Sequence, residues 1–87
     1  MKINSEYVLR QVADMYVVIP TGKATLQFDG IINLNETGRM LWQILEKETS
    51  KEALVEALTQ KFDVSSDEAE QDVEEFLGTL KQAGCLE

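Results

Sequence analysis

Apolar residues near the start of the chain fall into two β-forming runs separated by a tight break. Tyr7–Val12 comes first, Ala13-Asp14 interrupts the pattern, and residues 15–19 follow. Two such runs around a two-residue break predict a β-hairpin. Pro20 has no N–H to donate to a neighbouring strand, so the second strand is expected to end there.

The next segment alternates turn signals with short apolar stretches. Residues 25–28 are a candidate extension of the hairpin, and Asp29-Gly30 is a turn signal. A short third strand is predicted over Ile31, Ile32, Asn33 and Leu34.

Apolar residues then recur at helical spacing, and three helices are predicted. Asn35 can cap the first helix, which is expected to end near Lys47 or Glu48. Gly38 is expected to allow close packing one turn before Trp42, which is interpreted as core rather than as a ligand platform. The apolar stripe of this helix consists of Met40, Leu41, Ile44 and Leu45, with Trp42 at its border.

Capping boxes open the other two helices. Thr49 pairs with Glu52, and Ser65 pairs with Glu68. The third helix is expected to run to about Ala83, with Gly84 as its stop. The apolar face of the second helix consists of Leu54, Val55, Leu58 and Phe62.

Three strands followed by three helices, the last two joined at Asp63-Val64, predict an α+β winged helix-turn-helix fold with a three-stranded antiparallel sheet. A chain of 87 residues has room for one domain over 1–87, with strands at about 7–34 and helices at about 36–84.

The third predicted helix carries two neighbouring lines of side chains. One line faces the core and consists of Ala69, Val73, Leu77 and Leu80. The second line consists of Asp72, Phe76, Thr79 and Ala83. Phe76 lies where the lines meet, and it can be core, the wall of a groove, or both. If the third strand is a free edge beside this helix, an extended peptide could pair with the strand and contact the helix.

The residue inventory excludes several kinds of chemistry. The chain has no His and the single cysteine Cys85, so imidazole ligands, a Cys-His nucleophile pair and a cysteine metal site are all excluded. Paired carboxylates need an enclosed pocket that so short a chain can hardly form. We therefore expect no enzyme activity, no catalytic residue, no cofactor and no metal. Without a membrane-length apolar run or a signal segment, the expected location is the cytoplasm.

Sixteen acidic and eight basic residues give a net charge of −8. Nucleic acids and anionic membranes are disfavoured as partners because their phosphates would be repelled. The acidity either keeps a small protein soluble or selects a basic or amphipathic partner. Acids at the start of the third helix favour its dipole. That reason does not extend to Asp72, Glu74 and Glu75, which lie further in and form either a solvated face or a surface that attracts a basic segment.

Two motifs in this chain resemble those of the PqqD family. Residues 34–45, LNETGRMLWQIL, are similar to the family pattern LN-x-T-G-x-x-[IL]-W-x-[IL]-L. Residues 72–77, followed by Leu80 and Gly84-Cys85-Leu86, are similar to its DV-x-x-F-L-x-x-L helix and Gly-Leu tail. The resemblance extends from about Tyr7 to Leu86, and the order and spacing of the motifs make it specific.

The resemblance implies a winged-helix peptide chaperone that binds the leader of a ribosomally made precursor peptide. The leader would add as a strand to the third strand, beside the third helix, and would be presented to a modifying enzyme. In this family that enzyme is often a radical SAM enzyme, as in pyrroloquinoline quinone biosynthesis. By position, the implied peptide-binding residues are Gly30, Ile31, Ile32, Asn33, Leu34, Asp72, Phe76 and Thr79.

The chain also departs from the quinone-pathway pattern. Members of the quinone pathway have a shorter link between the second and third strands and a basic start that contains proline. In this chain the link covers residues 21–29, and the start over residues 2–6 reads Lys-Ile-Asn-Ser-Glu. These differences favour a standalone recognition protein for another modified peptide. The alternatives are a winged-helix protein–protein adaptor, including a homodimer paired through a sheet edge, and a transcription regulator, which the net charge opposes.

Overall fold

The computed structural model describes residues 1–27 and 32–87. It shows the predicted α+β class, with a three-stranded antiparallel sheet in the order β1-β2-β3. There are four helices in the described part of the chain, one more than predicted. The elements are β1 (Tyr7–Val12), β2 (Met15–Pro20), α1 (Ala24–Gln27), β3 (Ile32–Leu34), α2 (Glu36–Leu45), α3 (Lys51–Lys61) and α4 (Ser66–Ala83).

The predicted hairpin is confirmed. β1 and β2 pair from Tyr7 opposite Pro20 to Val12 opposite Met15, so the second strand ends at the proline as expected. The two-residue turn places Ala13 in the left-handed region, with φ 57°. Two-residue hairpin turns favour positive φ because the turn then matches the twist of the strands.

The predicted extension of the hairpin over residues 25–28 is wrong where the structure describes it, because Ala24–Gln27 forms the short helix α1. The Glu6 carboxylate accepts a hydrogen bond from the Ala24 amide at 2.9 Å and so satisfies a donor at the start of the helix. Gly22 precedes it with φ 56°, a conformation that glycine adopts without strain. This long-range capping contact overrides the β preference of Thr25.

α2 begins as predicted but ends earlier. The Asn35 side chain accepts a hydrogen bond from the Gly38 amide at 2.8 Å, which confirms the predicted cap. The helix ends at Leu45, short of the expected Lys47 or Glu48.

The start of α3 corrects one prediction and the start of α4 confirms another. Ser50, not Thr49, caps α3, and its hydroxyl accepts the Ala53 amide at 3.2 Å. Thr49 is engaged elsewhere, because its amide donates to the Met1 carbonyl at 3.0 Å. Ser65 caps α4 as predicted, with its hydroxyl accepting the Glu68 amide at 3.1 Å.

α4 is the longest of these elements and ends as predicted. It has 18 residues, so it extends for roughly 27 Å. Gly84 follows it in the left-handed conformation, with φ 77°, and its amide donates back to the carbonyls of Leu80 and Lys81. This geometry is the usual glycine stop of a helix.

The core lies between the sheet and the three longer helices. Trp42 is fully buried, which confirms it as core. On α4 the four residues predicted to face inward are all buried, and on α3 Leu54 and Leu58 are buried. Met40 and Ile44 are only half-buried, so the stripe of α2 centres on Leu41, Trp42 and Leu45.

The two ends of the chain pair with each other, which the sequence pattern did not predict. Ile3 forms an isolated antiparallel bridge with Leu86. The Asn4 amide donates to the Cys85 carbonyl at 2.7 Å, and the Glu87 amide donates to the Lys2 carbonyl at 2.9 Å. Within residues 1–27 and 32–87 no helix has both the length and the apolar character needed to cross a membrane.

Candidate functional site

β3 is an edge strand. It pairs antiparallel with β2, with Ile32 opposite Val18 and Leu34 opposite Tyr16. Because β3 is last in the strand order, no strand of the described chain pairs with its other side. Alternate residues of such a strand direct their N–H and C=O groups away from the sheet. This edge can therefore accept one more strand.

A cleft separates this edge from α4. We name it the strand cleft; its volume is about 320 Å³. Ile32 and Leu34 are half-buried and pack on the core, whereas Asn33 is exposed. The cleft is lined by Ile32, Asn33, Leu34, Asn35, Gly38, Phe76, Thr79 and Leu80.

A second cleft adjoins the first between the start of α2 and α4. We name it the helix cleft; its volume is about 630 Å³. The two clefts share four lining residues, so together they form one groove along α4. The helix cleft is lined by Asn35, Thr37, Gly38, Leu41, Asp72, Glu75, Phe76, Gly78, Thr79 and Gln82.

Gly38 sets the wall of the groove opposite α4. A Cβ atom at this position would lie 3.3 Å from the Asn35 Oδ1 atom and 3.4 Å from the Leu34 side chain. The absence of a side chain therefore lets the first turn of α2 pack directly on the end of β3. The close packing predicted at Gly38 involves these two residues.

The structure brings six of the eight predicted site residues to this groove. Ile32, Asn33 and Leu34 line the strand cleft, Asp72 lines the helix cleft, and Phe76 and Thr79 line both. Gly30 and Ile31 lie outside the described residues, as do Phe28 and Asp29.

Phe76 is both core and groove wall. It is half-buried and packs against the core cluster, while it also borders both clefts. Ala83, predicted to flank it, lines neither cleft. Ala83 packs against the core instead, and its carbonyl accepts a hydrogen bond from the Tyr7 hydroxyl at 3.0 Å.

Several lining residues of the helix cleft were not predicted as site residues, although Glu75 was noted as an acid that the helix dipole does not explain. Glu75, Gly78 and Gln82 follow one another at spacings of three and four, so they form a row parallel to the predicted row of Asp72, Phe76 and Thr79. That periodicity was a usable signal. Thr37 and Leu41 carried no such signal, because they lie on α2 and only the tertiary fold brings that helix to α4.

Four acidic residues in the middle of α4 divide into two groups by their surroundings. Glu74 accepts a hydrogen bond from the Lys51 ammonium of α3, with Glu70 at 3.6 Å from the same group. This hydrogen bond is the main reason that the pKa of Lys51 is raised. Asp72 and Glu75 instead border the groove, and neither takes part in an ion pair within the described part of the chain.

Cys85 lies away from the groove in the core. It is fully buried, and burial raises the pKa of its thiol to about 11. At neutral pH the thiol is therefore protonated and a poor nucleophile. Among residues 1–27 and 32–87, no group of three or more His, Cys, Asp or Glu side chains is placed to hold a metal ion.

Comparisons with known proteins give matches that extend over nearly the whole chain. The model of the family described as "Coenzyme PQQ synthesis protein D (PqqD)" matches residues 7–86. A search of curated proteins found no significant match.

Two solved structures are similar in fold over nearly their full length. TbiB1 in complex with the TbiA(beta) leader peptide is 28% identical, with a TM-score of 0.81, and the match covers 100% of this chain and 95% of that one. Lasso peptide synthetase B1 complexed with the leader peptide is 21% identical, with a TM-score of 0.77 and coverages of 97% and 93%. At that lower identity the second structure supports the fold alone.

Proposed function

The chain belongs to the PqqD family, and on that premise we propose that it binds the leader of a ribosomally made precursor peptide and presents it to a modifying enzyme. The observation that carries the proposal is the free edge of β3 facing Phe76 of α4 across the groove. TbiB1, which is 28% identical to this chain, was solved with a leader peptide bound.

The proposed mode is strand addition. A leader segment in extended conformation lies along β3 and exchanges backbone hydrogen bonds with its free side. Within the described residues, β3 offers Ile32–Leu34 for this pairing. A short interface of this kind is expected to give a dissociation constant on the order of micromolar, about −8 kcal/mol.

Side-chain selection comes from the strand cleft. Successive side chains of an added strand point to opposite faces, so every second one is directed towards α4. There it meets Phe76 and Ile32, both of which are half-buried. Burying one apolar side chain contributes roughly 1.5–3 kcal/mol, so apolar residues at alternate leader positions are favoured.

We further propose that residues 1–87 act as one non-catalytic domain whose partner enzyme performs the chemistry. The resemblance to the family suggests a radical SAM enzyme, and the long link over residues 21–29 suggests a peptide product other than pyrroloquinoline quinone. Since precursor peptides are made on ribosomes, the expected site of this encounter is the cytoplasm. A role on DNA is opposed by the exposed acids along α4, which would repel phosphates.

The test uses the leader of the precursor peptide that is encoded beside the gene for this protein, and only the peptide is altered. Isothermal titration compares the unmodified leader with versions in which single amides are N-methylated. Each N-methyl group removes one backbone donor without changing the protein. We expect methylation at alternate positions of one short segment to weaken binding at least tenfold, because alternate amides face β3.

Methylation at the intervening positions is the matched control and is expected to leave affinity nearly unchanged. If the unmodified leader does not bind at all, the proposed function is wrong. If the leader binds but no N-methyl group weakens it, the peptide binds by another mode and strand addition is wrong.

A further inference from the structure

We propose that the helix cleft accepts a Lys or Arg side chain of the bound peptide. This inference rests on the proposed function and adds to it a charge requirement at one position of the leader. It concerns the part of the groove beyond Phe76, between α4 and the start of α2, which backbone pairing with β3 does not itself fill.

The charges that line this cleft are all negative. Asp72 and Glu75 border it, and neither Lys nor Arg is among its lining residues. Both carboxylates are exposed, and within the described part of the chain neither forms an ion pair. Glu74, one position away, is instead engaged by Lys51 on the other side of α4. A cationic side chain is therefore the complementary occupant.

The cleft also has room and an apolar floor for the stem of such a side chain. Phe76 is half-buried and presents apolar surface at the base of the cleft, and the buried Leu41 lies beneath it. A Cβ atom at Gly78 would meet nothing within 4 Å, which shows open space on the α4 side. Lys and Arg commonly lay their methylene groups on apolar surface while the charged head reaches polar groups.

The start of α2 does not reverse this preference. A helix N-terminus favours anions because of its unpaired amides and dipole. Here the Gly38 amide already donates to the Asn35 side chain, and Glu36 adds a carboxylate in the first turn. The electrostatic balance at the cleft therefore stays in favour of a cation.

The experiment measures coupling between peptide charge and protein charge. A set of synthetic leader peptides carries, at each position in turn, either Lys or norleucine, which keeps the aliphatic stem without the charge. Affinities are measured by titration against the wild type, the variant Asp72→Asn/Glu75→Gln, and the control Glu52→Gln/Glu56→Gln. The control removes the same charge from exposed residues that line a different cleft on α3.

We expect one position at which the Lys peptide binds about fivefold more tightly than the norleucine peptide at low salt, because two partly exposed ion pairs are each modest. That preference disappears in Asp72→Asn/Glu75→Gln and persists in the control. If the leader binds but no position prefers Lys, or if the preference survives in Asp72→Asn/Glu75→Gln, the inference is wrong while the proposed function stands. Failure of every peptide to bind overturns both.

Discussion

Two substitutions at Gly78 test separately the stability of α4 and the binding of a peptide in the groove. The residue lies inside α4, is exposed, and borders the helix cleft. A Cβ atom there would meet nothing within 4 Å, so a larger residue is accommodated in the free protein. Glycine inside a helix is about 1 kcal/mol less favourable than alanine. Gly78→Ala is therefore expected to raise the unfolding free energy by roughly 1 kcal/mol, or Tm by about 4–8 °C.

Gly78→Trp adds an obstruction to the same site. Tryptophan has an intermediate helix propensity, so this variant is expected to be at least as stable as the wild type. Its indole extends into the cleft and competes with the peptide. Losing the burial of one peptide side chain costs roughly 1.5–3 kcal/mol, which corresponds to about a 10- to 150-fold loss of affinity.

The assay pairs thermal unfolding with leader titration for Gly78→Ala, Gly78→Trp and the control Gln71→Trp. Gln71 is exposed on α4 and lines neither cleft, so its replacement is expected to leave affinity unchanged. If folded Gly78→Trp binds the leader as tightly as the wild type, the peptide does not occupy the helix cleft. If Gly78→Ala lowers Tm, the open space described at Gly78 is wrong.

Three further predictions concern the helix cap and the buried thiol. Asn35→Ala removes the acceptor of the Gly38 amide and is expected to lower the unfolding free energy by about 1 kcal/mol in urea titration; an unchanged midpoint would mean that this cap contributes nothing. The pKa of Cys85 is raised from 9.0 to about 11, so the folded protein holds this proton while the unfolded chain loses it, and stability is expected to fall as pH rises from about 9 towards 11. At pH 8, alkylation of Cys85 by iodoacetamide is expected to be about a hundredfold slower in the folded protein than in urea, and equal rates would contradict the burial of the thiol.

Local patterns predicted much of the fold because local interactions determine those elements. The hairpin follows from β-forming runs around Ala13-Asp14, and the start and end of α4 follow from Ser65 and Gly84. The short helix α1 could not be predicted in this way. It depends on the Glu6 carboxylate, which is 18 residues away from Ala24 in the sequence.

The groove was predictable on α4 and not on its opposite wall. Helical periodicity alone placed Asp72, Phe76 and Thr79 on one line, and the structure brings them to the groove. The contribution of Thr37 and Leu41 depends on how α2 packs against α4, which no local pattern encodes. The free edge of β3 likewise required the strand order, because pairing with β2 leaves one side open only when β3 is last.

The pairing of the two chain ends likewise depends on tertiary contacts that no local sequence pattern encodes. The bridge between Ile3 and Leu86 joins residues from opposite ends of the sequence, and neither segment shows a strand pattern by itself. The start of the chain also explains why Ser50 caps α3 instead of Thr49. Met1 forms backbone hydrogen bonds with both the amide and the carbonyl of Thr49. Long-range contacts of this kind shift boundaries that local rules place within a residue or two.

The most direct test of peptide binding at the groove is an NMR titration of isotopically labelled protein with the unlabelled leader encoded beside it. We expect the amide resonances of residues 32–34 and 72–82 to shift together and to saturate at micromolar to submillimolar peptide, while those of α3 stay in place. Shifts confined to β1 or α3 would place the peptide elsewhere. No shifts at millimolar leader would contradict leader binding by this chain.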